Sequence, residues 1–226
     1  GLPITAAGTT INRFCGSSMQ STHFAAGAIQ MNAGEVFICA GVESMSRVPM
    51  TGFNPMPNPV LSDAMPGAYM SMGETAENVG RKYKITRREQ EEFALLSQEK
   101  AAAAETSGRL REEIVPIEVE GSNVDRDGCL RPDTTHEGLA ELRLAFDESG
   151  TVTAGTSSPL TDGAAAVLVC SQEYAQAHGL TPLAKILSTA VAGCEPETMG
   201  LGPIFASRKA LARANINAQS LDAVSY

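Results

Sequence analysis

Charge disappears from the chain between Cys15 and Ala33, where small residues alternate with Phe24, Ile29 and Met31. A helix that is uncharged all round is a buried one, so 17–33 is predicted to be a core helix. Thr9, Thr10, Ile11 and Phe14 before it give the pattern of a short strand over 9–14, and "EVFICAG" (35–41) after it reads as a buried strand ended by Gly41. This opening is strand–helix–strand, an α/β arrangement. The texture changes from Val48 to Gly67, where five prolines predict a loop excursion. Helical periodicity then returns. Ala76, Val79 and Tyr83 share one face of "ETAENVGRKYK". Thr86 and Glu89 form a capping box for a helix that runs to about Thr106 and closes at Gly108, with Phe93, Leu96 and Ala104 as its face. "EEIVPIEVE" reads as a strand that Pro116 confines to a sheet edge.

"DGAAAVLVC" (162–170) is either a small-residue helical turn or the approach to a buried strand, and Ser171 caps a short helix that Gly179 ends. "LAKILSTAVAG" (183–193) is predicted as a strand. "IFASRKALARANI" (204–216) is predicted as a helix with Phe205, Leu211 and Ala212 inward, and "DAVSY" as the start of another strand. The second strand–helix–strand unit repeats the plan of the first, and the stretch between them, about 44–160, reads as an inserted subdomain.

Composition narrows the function classes. The 226 residues are 43% hydrophobic and 19% charged, ordinary for a globular protein, and the net charge of −9 argues against a nucleic-acid footprint. The longest apolar run, Ala164–Cys170, is far too short to span a bilayer. Five cysteines, an odd number with no C-x-x-C spacing, exclude a disulfide framework or zinc knuckle and favour a reducing compartment. Three scattered histidines give no metal site. The chain starts at Gly1 without a signal-peptide pattern and stops within "DAVSY", so both ends read as cut through a fold.

One thiol stands out. "INRFCGSSMQ" places Cys15 at the entrance to the predicted helix, where free backbone N–H groups and the positive end of the helix dipole favour the nucleophilic form. The same N–H groups could hold an oxyanion. The competing reading is a cysteine packed as a small hydrophobe. Cys39, Cys170 and Cys194, in apolar strand contexts, read as core, and Cys129 lies in a polar loop. His23, eight residues past Cys15, reads as a core histidine. The basic stretch "RKYKITRRE" (81–89) reads as a guide for phosphates or as a solvated face or subunit contact.

Taken together, "NRFCGSSMQ" and "AAGAIQMNAGEVFICAGVESMSRVPM" resemble the first signature of the thiolases. "MGETAENVGRKYKITRREQEEFALLSQEKA" is similar to the helices of that family's loop domain, "LRLAFDESGTVTAGTSSPLTDGAAAVLV" to its return to the core, and "GCEPETMGLGPIFASRKAL" to the opening of its C-terminal half. The resemblance runs in order through nearly all of the chain. Its wording sits nearest the degradative branch, which cleaves 3-ketoacyl-CoA in fatty-acid β-oxidation.

The resemblance implies a layered α-β-α-β-α core of two similar halves with an inserted α+β loop domain, truncated at both ends. Residues 1–43 are expected to belong to the N-terminal core, 44–160 to the CoA-binding loop domain, 161–181 to the return to the N-terminal core, and 182–226 to the start of the C-terminal core. It implies Cys15 as the acyl-accepting nucleophile of a ping-pong acyl transfer. CoA and acyl-CoA are then substrates, and no bound cofactor is implied. The implied CoA-binding residues are Arg131 and Phe146 near the adenine, Ser158 at the pantetheine with Ala154 and Leu160 beside it, and Met72 lining the tunnel. Two positions depart from the pattern: Ser71 stands where several relatives carry His, and Gly138 where serine occurs near the adenine. The family's Asn-Glu-Ala-Phe stretch, Gly-His-Pro histidine and second, C-terminal cysteine are not found in these 226 residues. A base supplied from within them would be His23 or His136. The alternatives are the biosynthetic acetoacetyl-CoA reaction and a catalytically silent CoA-binding module. The family further implies a homodimer or homotetramer, with a β-oxidation partner subunit as an option, in a bacterial cytoplasm or an organellar matrix.

Overall fold

The computed structural model describes residues 1–225. In chain order its helices and strands are α1 (Ser17–Gln30), β1 (Val36–Ser44), α2 (Pro59–Ala64), α3 (Met72–Tyr83), α4 (Arg87–Thr106), β2 (Ile117–Val119), β3 (Ser122–Val124), α5 (His136–Ala140), β4 (Asp162–Cys170), α6 (Gln172–Ala177) and α7 (Gly202–Ala214). Short 3-10 turns punctuate them, among them Phe14–Gly16 directly before α1 and Ala154–Thr156 before β4. Two units form: one from Gly1–Pro55, Leu160–Val191 and Ala206–Tyr226, the other from Met56–Pro159 and Ala192–Phe205.

The first unit is built on β1 and β4, antiparallel from Val36 opposite Cys170 to Ser44 opposite Asp162. Strand β1 runs on through Gly41 to Ser44 instead of ending at Gly41, because β4 offers a backbone partner along that whole length. The Asp162 carboxylate then closes the corner by accepting from the Ser46 amide and hydroxyl, and these bonds hold its pKa below the usual range. Phe37, Cys39 and Gly41 point to the better-covered face, of which only Cys39 is buried. The other face presents Ile38, Ala40 and Val42 in register with Leu168, Ala166 and Ala164, and all six are exposed.

That openness corrects several expectations. Of α1 only Ala25 is buried, and Met19 and Phe24 are exposed. Residues 162–170 form a strand, but an exposed one, with Cys170 half-buried and not core. The predicted strands over 9–14 and 183–193 do not form, because an extended segment becomes a strand only where another backbone pairs with it. Among the described residues only β1–β4 and β2–β3 do so. The carbonyls of 183–193 are instead capped by side chains of α7: Lys209 Nζ donates to Val191 O at 3.0 Å, and Arg213 donates to Thr189 O. Ser188 Oγ in turn donates to Ala210 O. Residues 223–225 are exposed and irregular where a strand was expected, and Tyr226 lies outside the described residues. On α7, Leu211 is half-buried, but Phe205 and Ala212 are exposed.

The second unit follows its local signals closely. Thr86 and Glu89 make the reciprocal capping bonds that start α4, and Gly108 follows the helix with a left-handed φ of +78°. Ser71 and Glu74 cap α3 in the same way, which lowers the Glu74 pKa. The 48–67 excursion contains α2, whose cap Asn58 accepts from the amides of Val60 and Leu61. Pro116 lies just before β2, which pairs with β3 as a small exposed hairpin. In the first unit, Ser171 caps α6 as expected and Gly179 follows it at φ +64°.

The two long helices bury other faces than their apolar periodicity predicts. On α3 the buried positions are Gly73, Thr75, Glu77 and Gly80, while Ala76 and Tyr83 are exposed. On α4 the buried residue is Glu91, and Phe93 and Leu96 are exposed. The reason is polar. On α3 the Glu77 carboxylate takes hold of backbone amides, and on α4 Arg87, paired with buried Glu91, takes hold of backbone carbonyls; the apolar spacing encodes neither contact.

Candidate active site

Cys15 lies in the Phe14–Gly16 turn, one residue before Gly16 caps α1, and its side chain is exposed and free. The turn is set by its neighbours. Asn12 Oδ1 accepts the Phe14 amide at 3.0 Å, Ser17 Oγ accepts the Arg13 amide at 2.8 Å, and Ser17 Oγ donates back to Phe14 O at 2.6 Å. Arg13 is tied to Gln20 at 2.9 Å. Phe14 is held at φ +48°, a region costly for a residue with a Cβ, so the surrounding bonds over-determine the turn. The "NRFCGSS" residues therefore act together. Asn, Arg and Ser fix a kinked backbone that presents the thiol at the head of a 14-residue helix.

Within the same unit, His23 lines an apolar hollow of about 390 Å³ with Ser18, Met19, Cys39, Val167 and Ile186. Burial, and to a lesser degree the Arg13 charge, pushes the His23 pKa down, so the ring is neutral near pH 7. His136 is half-buried at the first position of α5.

The second unit carries most of the residues that the resemblance assigns to CoA. Met72 is the exposed first residue of α3. The Phe146 ring packs across Gly73 so closely that a methyl group there would overlap it, which accounts for a glycine in the first turn of the helix. Phe146 also lines a cleft of about 490 Å³ with Met70, Glu74, Glu77, Asn78, Arg81, Asp147 and Glu148. Arg131 is exposed; its amide donates to Gln98 on α4 at 2.9 Å and its carbonyl accepts the Thr134 hydroxyl at 2.7 Å. Ala154 opens its 3-10 turn, and Ser158 follows it, both exposed. Of the assigned set, Phe146 alone is among the residues lining the cleft. Leu160 is exposed in the first unit. Among the described residues no three His, Cys, Asp or Glu side chains cluster as metal ligands, and no helix is long and apolar enough to cross a membrane.

The basic stretch divides its work. Arg81 pairs with Asp147 at 2.8 Å, and Arg88 with Glu92 at 2.9 Å on the surface. Arg87 bonds buried Glu91 and donates to the carbonyls of Leu139, Ala140 and Leu142. Three of its arginines are thus occupied by protein partners, and Arg87 is a clamp on the C-terminal end of α5 and the chain just after it.

Glu77 is a buried carboxylate that the sequence pattern does not single out. Its side chain is 2% exposed, and its carboxylate accepts the Thr151 amide at 2.9 and 3.0 Å and the Val152 amide at 2.8 Å. The available signal was a glutamate between small residues on a helix whose partner segment, "SGTVTAG", carries Gly150 where the chain crosses it.

The comparisons with known proteins follow this geometry. The family model described as the N-terminal domain of thiolases matches residues 1–173, and that of the C-terminal domain matches residues 180–226. A 3-ketoacyl-CoA thiolase of Marinobacter nauticus is 49% identical over 228 residues, covering 98% of this chain and 58% of that protein. One from Bacillus subtilis is 44% identical over 234 residues, covering 98% and 60%. The crystal structure of human mitochondrial 3-ketoacyl-CoA thiolase superposes with a TM-score of 0.87 at 36% identity, covering 98% of this chain and 60% of that one. Its complex with CoA gives 0.82 at 37% identity, covering 94% and 57%. The chain thus spans about three-fifths of the length of the relatives it matches.

Proposed function

The chain belongs to the thiolase family, and from that premise we propose that it serves in thiolytic cleavage of 3-ketoacyl-CoA, with Cys15 as the acyl carrier. The Cys15 sulfur attacks the keto carbon, and the bond between that carbon and its neighbour breaks. The electron pair leaves on acetyl-CoA as its enolate, which takes up a proton. The acyl group stays on sulfur as a thioester until the thiol of a second CoA attacks it, releases a shortened acyl-CoA and restores Cys15. Thiol suits this role because transfer between two thioesters is close to isoenergetic. The observation that carries the reading is the exposed thiol of Cys15 in a backbone turn fixed by Asn12, Arg13 and Ser17.

In this reading most of the CoA-binding residues belong to the second unit, and Leu160 to the first. Arg131 and Phe146 serve the adenine, Ser158 with Ala154 and Leu160 the pantetheine, and Met72 the tunnel. Residues 44–160 act as the CoA-binding loop domain between core segments 1–43, 161–181 and 182–226. No bound cofactor is required. We infer a homodimer or homotetramer, and a bacterial cytoplasm in keeping with the bacterial relatives; an organellar matrix would match the human mitochondrial neighbour.

The test is chemical. The intact protein is mixed with a 3-ketoacyl-CoA, quenched in acid and mapped. The acyl group is expected on the peptide carrying Cys15, and Cys15→Ser is expected to abolish turnover, since an alcohol at that site is far less ionised than a thiol. An acyl group on another cysteine, with Cys15 unmodified, overturns the proposal. Rates over a series of chain lengths separate this degradative role from acetoacetyl-CoA synthesis.

A further inference from the structure

We propose that Glu77 is a positioning residue for CoA: its buried carboxylate fixes residues 151–152, and through them the segment carrying Ala154 and Ser158, against α3. The inference rests on the CoA placement given above. Three observations support it. The carboxylate accepts two consecutive main-chain amides, Thr151 and Val152, at 2.8–3.0 Å, and also the Thr151 hydroxyl at 3.3 Å. Gly150 lies so close that a methyl group there would overlap the carboxylate, so the strap crosses Glu77 only with glycine at that point. Among the described residues no lysine or arginine pairs with Glu77, so backbone amides and the Thr151 hydroxyl, not a cation, hold this buried carboxylate.

From there the strap is braced at short intervals. Gln90 of α4 donates to the Thr151 hydroxyl at 2.8 Å, and Thr156 Oγ1 bridges the Thr153 amide and carbonyl. Ser157 Oγ also donates to Thr153 O, at 2.8 Å. Val152 and Thr153 are buried, whereas Ala154 and Ser158 emerge to solvent. Upstream, Ala145 donates to Val152 O at 2.9 Å, which couples the same anchor to Phe146. One carboxylate thus sets the register of a strand-like segment with candidate ligand-binding residues on both sides of it.

The sign of the effect separates positioning from plain electrostatics. CoA is a polyanion, so a carboxylate that only lay nearby would repel it, and neutralising that charge would lower the KM for CoA. A positioning carboxylate predicts the opposite. In Glu77→Gln one carboxylate oxygen becomes an amide donor facing the Thr151 N–H and hydroxyl, so the strap keeps only the oxygen that both backbone amides share and its anchor is weakened. Steady-state kinetics of the intact protein should show the KM for CoA rising about tenfold, as expected when a ligand-holding segment shifts by a fraction of an ångström. The kcat at saturating CoA should change by less than about threefold. Alkylation of Cys15 by iodoacetamide, which needs no CoA, should keep its rate.

A KM that is unchanged or lowered overturns the inference. Ser158→Ala and Arg131→Ala run alongside to tell the two failures apart. If they raise the KM and Glu77→Gln does not, the positioning role alone fails. If none of the three moves it, the CoA placement fails and takes the inference with it. Should Glu77→Gln not fold, Gly150→Ala displaces the carboxylate while keeping its charge; a raised KM there supports the proposal and an unchanged one overturns it.

Discussion

In the unit that carries Cys15, apolar side chains are left open. Ile38 is 55% exposed, Val42 80% and Leu168 53%, all on one face of the β1–β4 sheet. In the unit that carries α3 and α4, the side chains most completely withdrawn from water are Glu77 and Thr153, with Thr75, Leu139 and Glu91 close behind. Hydrophobicity states which surface gains by being covered, but it cannot supply the cover. A buried carboxylate works the other way. It is tolerated only where donors converge on it, so each one marks a contact already made. The first unit therefore holds an open apolar sheet face; the second also exposes Phe93 and Val115, but its buried carboxylates Glu77 and Glu91 are finished joints.

The largest expected effect follows from the open sheet. Purified residues 1–226 alone should scatter light as species heavier than the 23.7 kDa monomer and should brighten an apolar dye, because contiguous exposed apolar surface on a paired strand ladder drives association. A stable monomer that leaves the dye dark would show that the face is covered, and the contrast between the units would collapse.

Next in size are the joints themselves. Arg87 is bonded to Glu91 at 2.6 Å and to three carbonyls, and Glu91 is buried. Arg87→Gln leaves that carboxylate without its cation and the carbonyls without their donor, so the urea midpoint should fall by an amount equivalent to about 3 kcal/mol. Its neighbour Arg88 makes the same i,i+4 pair with Glu92, but in solvent. Arg88→Gln should cost about 0.5 kcal/mol or less. Equal losses in the two variants would mean that burial, the quantity distinguishing the two neighbours, does not set the value of the pair.

Legibility in the sequence divides along the same line. Capping boxes at Thr86–Glu89, the Ser171 cap and the Gly108 and Gly179 terminators were readable because each is a local bond between residues a few positions apart. Cys15 at the helix entrance was readable for the same reason, and the family resemblance supplied its chemistry. The strands over 9–14 and 183–193 were not, since strand character depends on a partner that sequence pattern does not name. Glu77 and Arg87 escaped notice because their partners lie 74 and 52 residues away, and a charged residue on a helix reads by default as a solvated one. The basic stretch 81–89 looked like one patch and is in fact three separate commitments.

The smallest effect is a titration that tests whether an exposed joint behaves like a buried one. Asp147 accepts the Ser149 amide and hydroxyl, each at 2.8 Å, and the Arg81 guanidinium at 2.8 Å. The Ser149 bonds first, and Arg81 after them, hold its pKa at about 2, below the 3.8 usual for an aspartate. A folded-state pKa below the unfolded one means that stability is present above the unfolded value and fades as pH falls through the folded value. Wild type and Asp147→Asn should therefore differ by a constant amount in melting temperature above about pH 5, and the gap should narrow from there and close only below about pH 2. Glu74 and Glu89 are also lowered, by their capping bonds, but they titrate in both proteins and cancel in the difference. A gap that stays level or widens on acidification would remove Asp147 from the joints of this unit and leave Arg81 free to face the cleft.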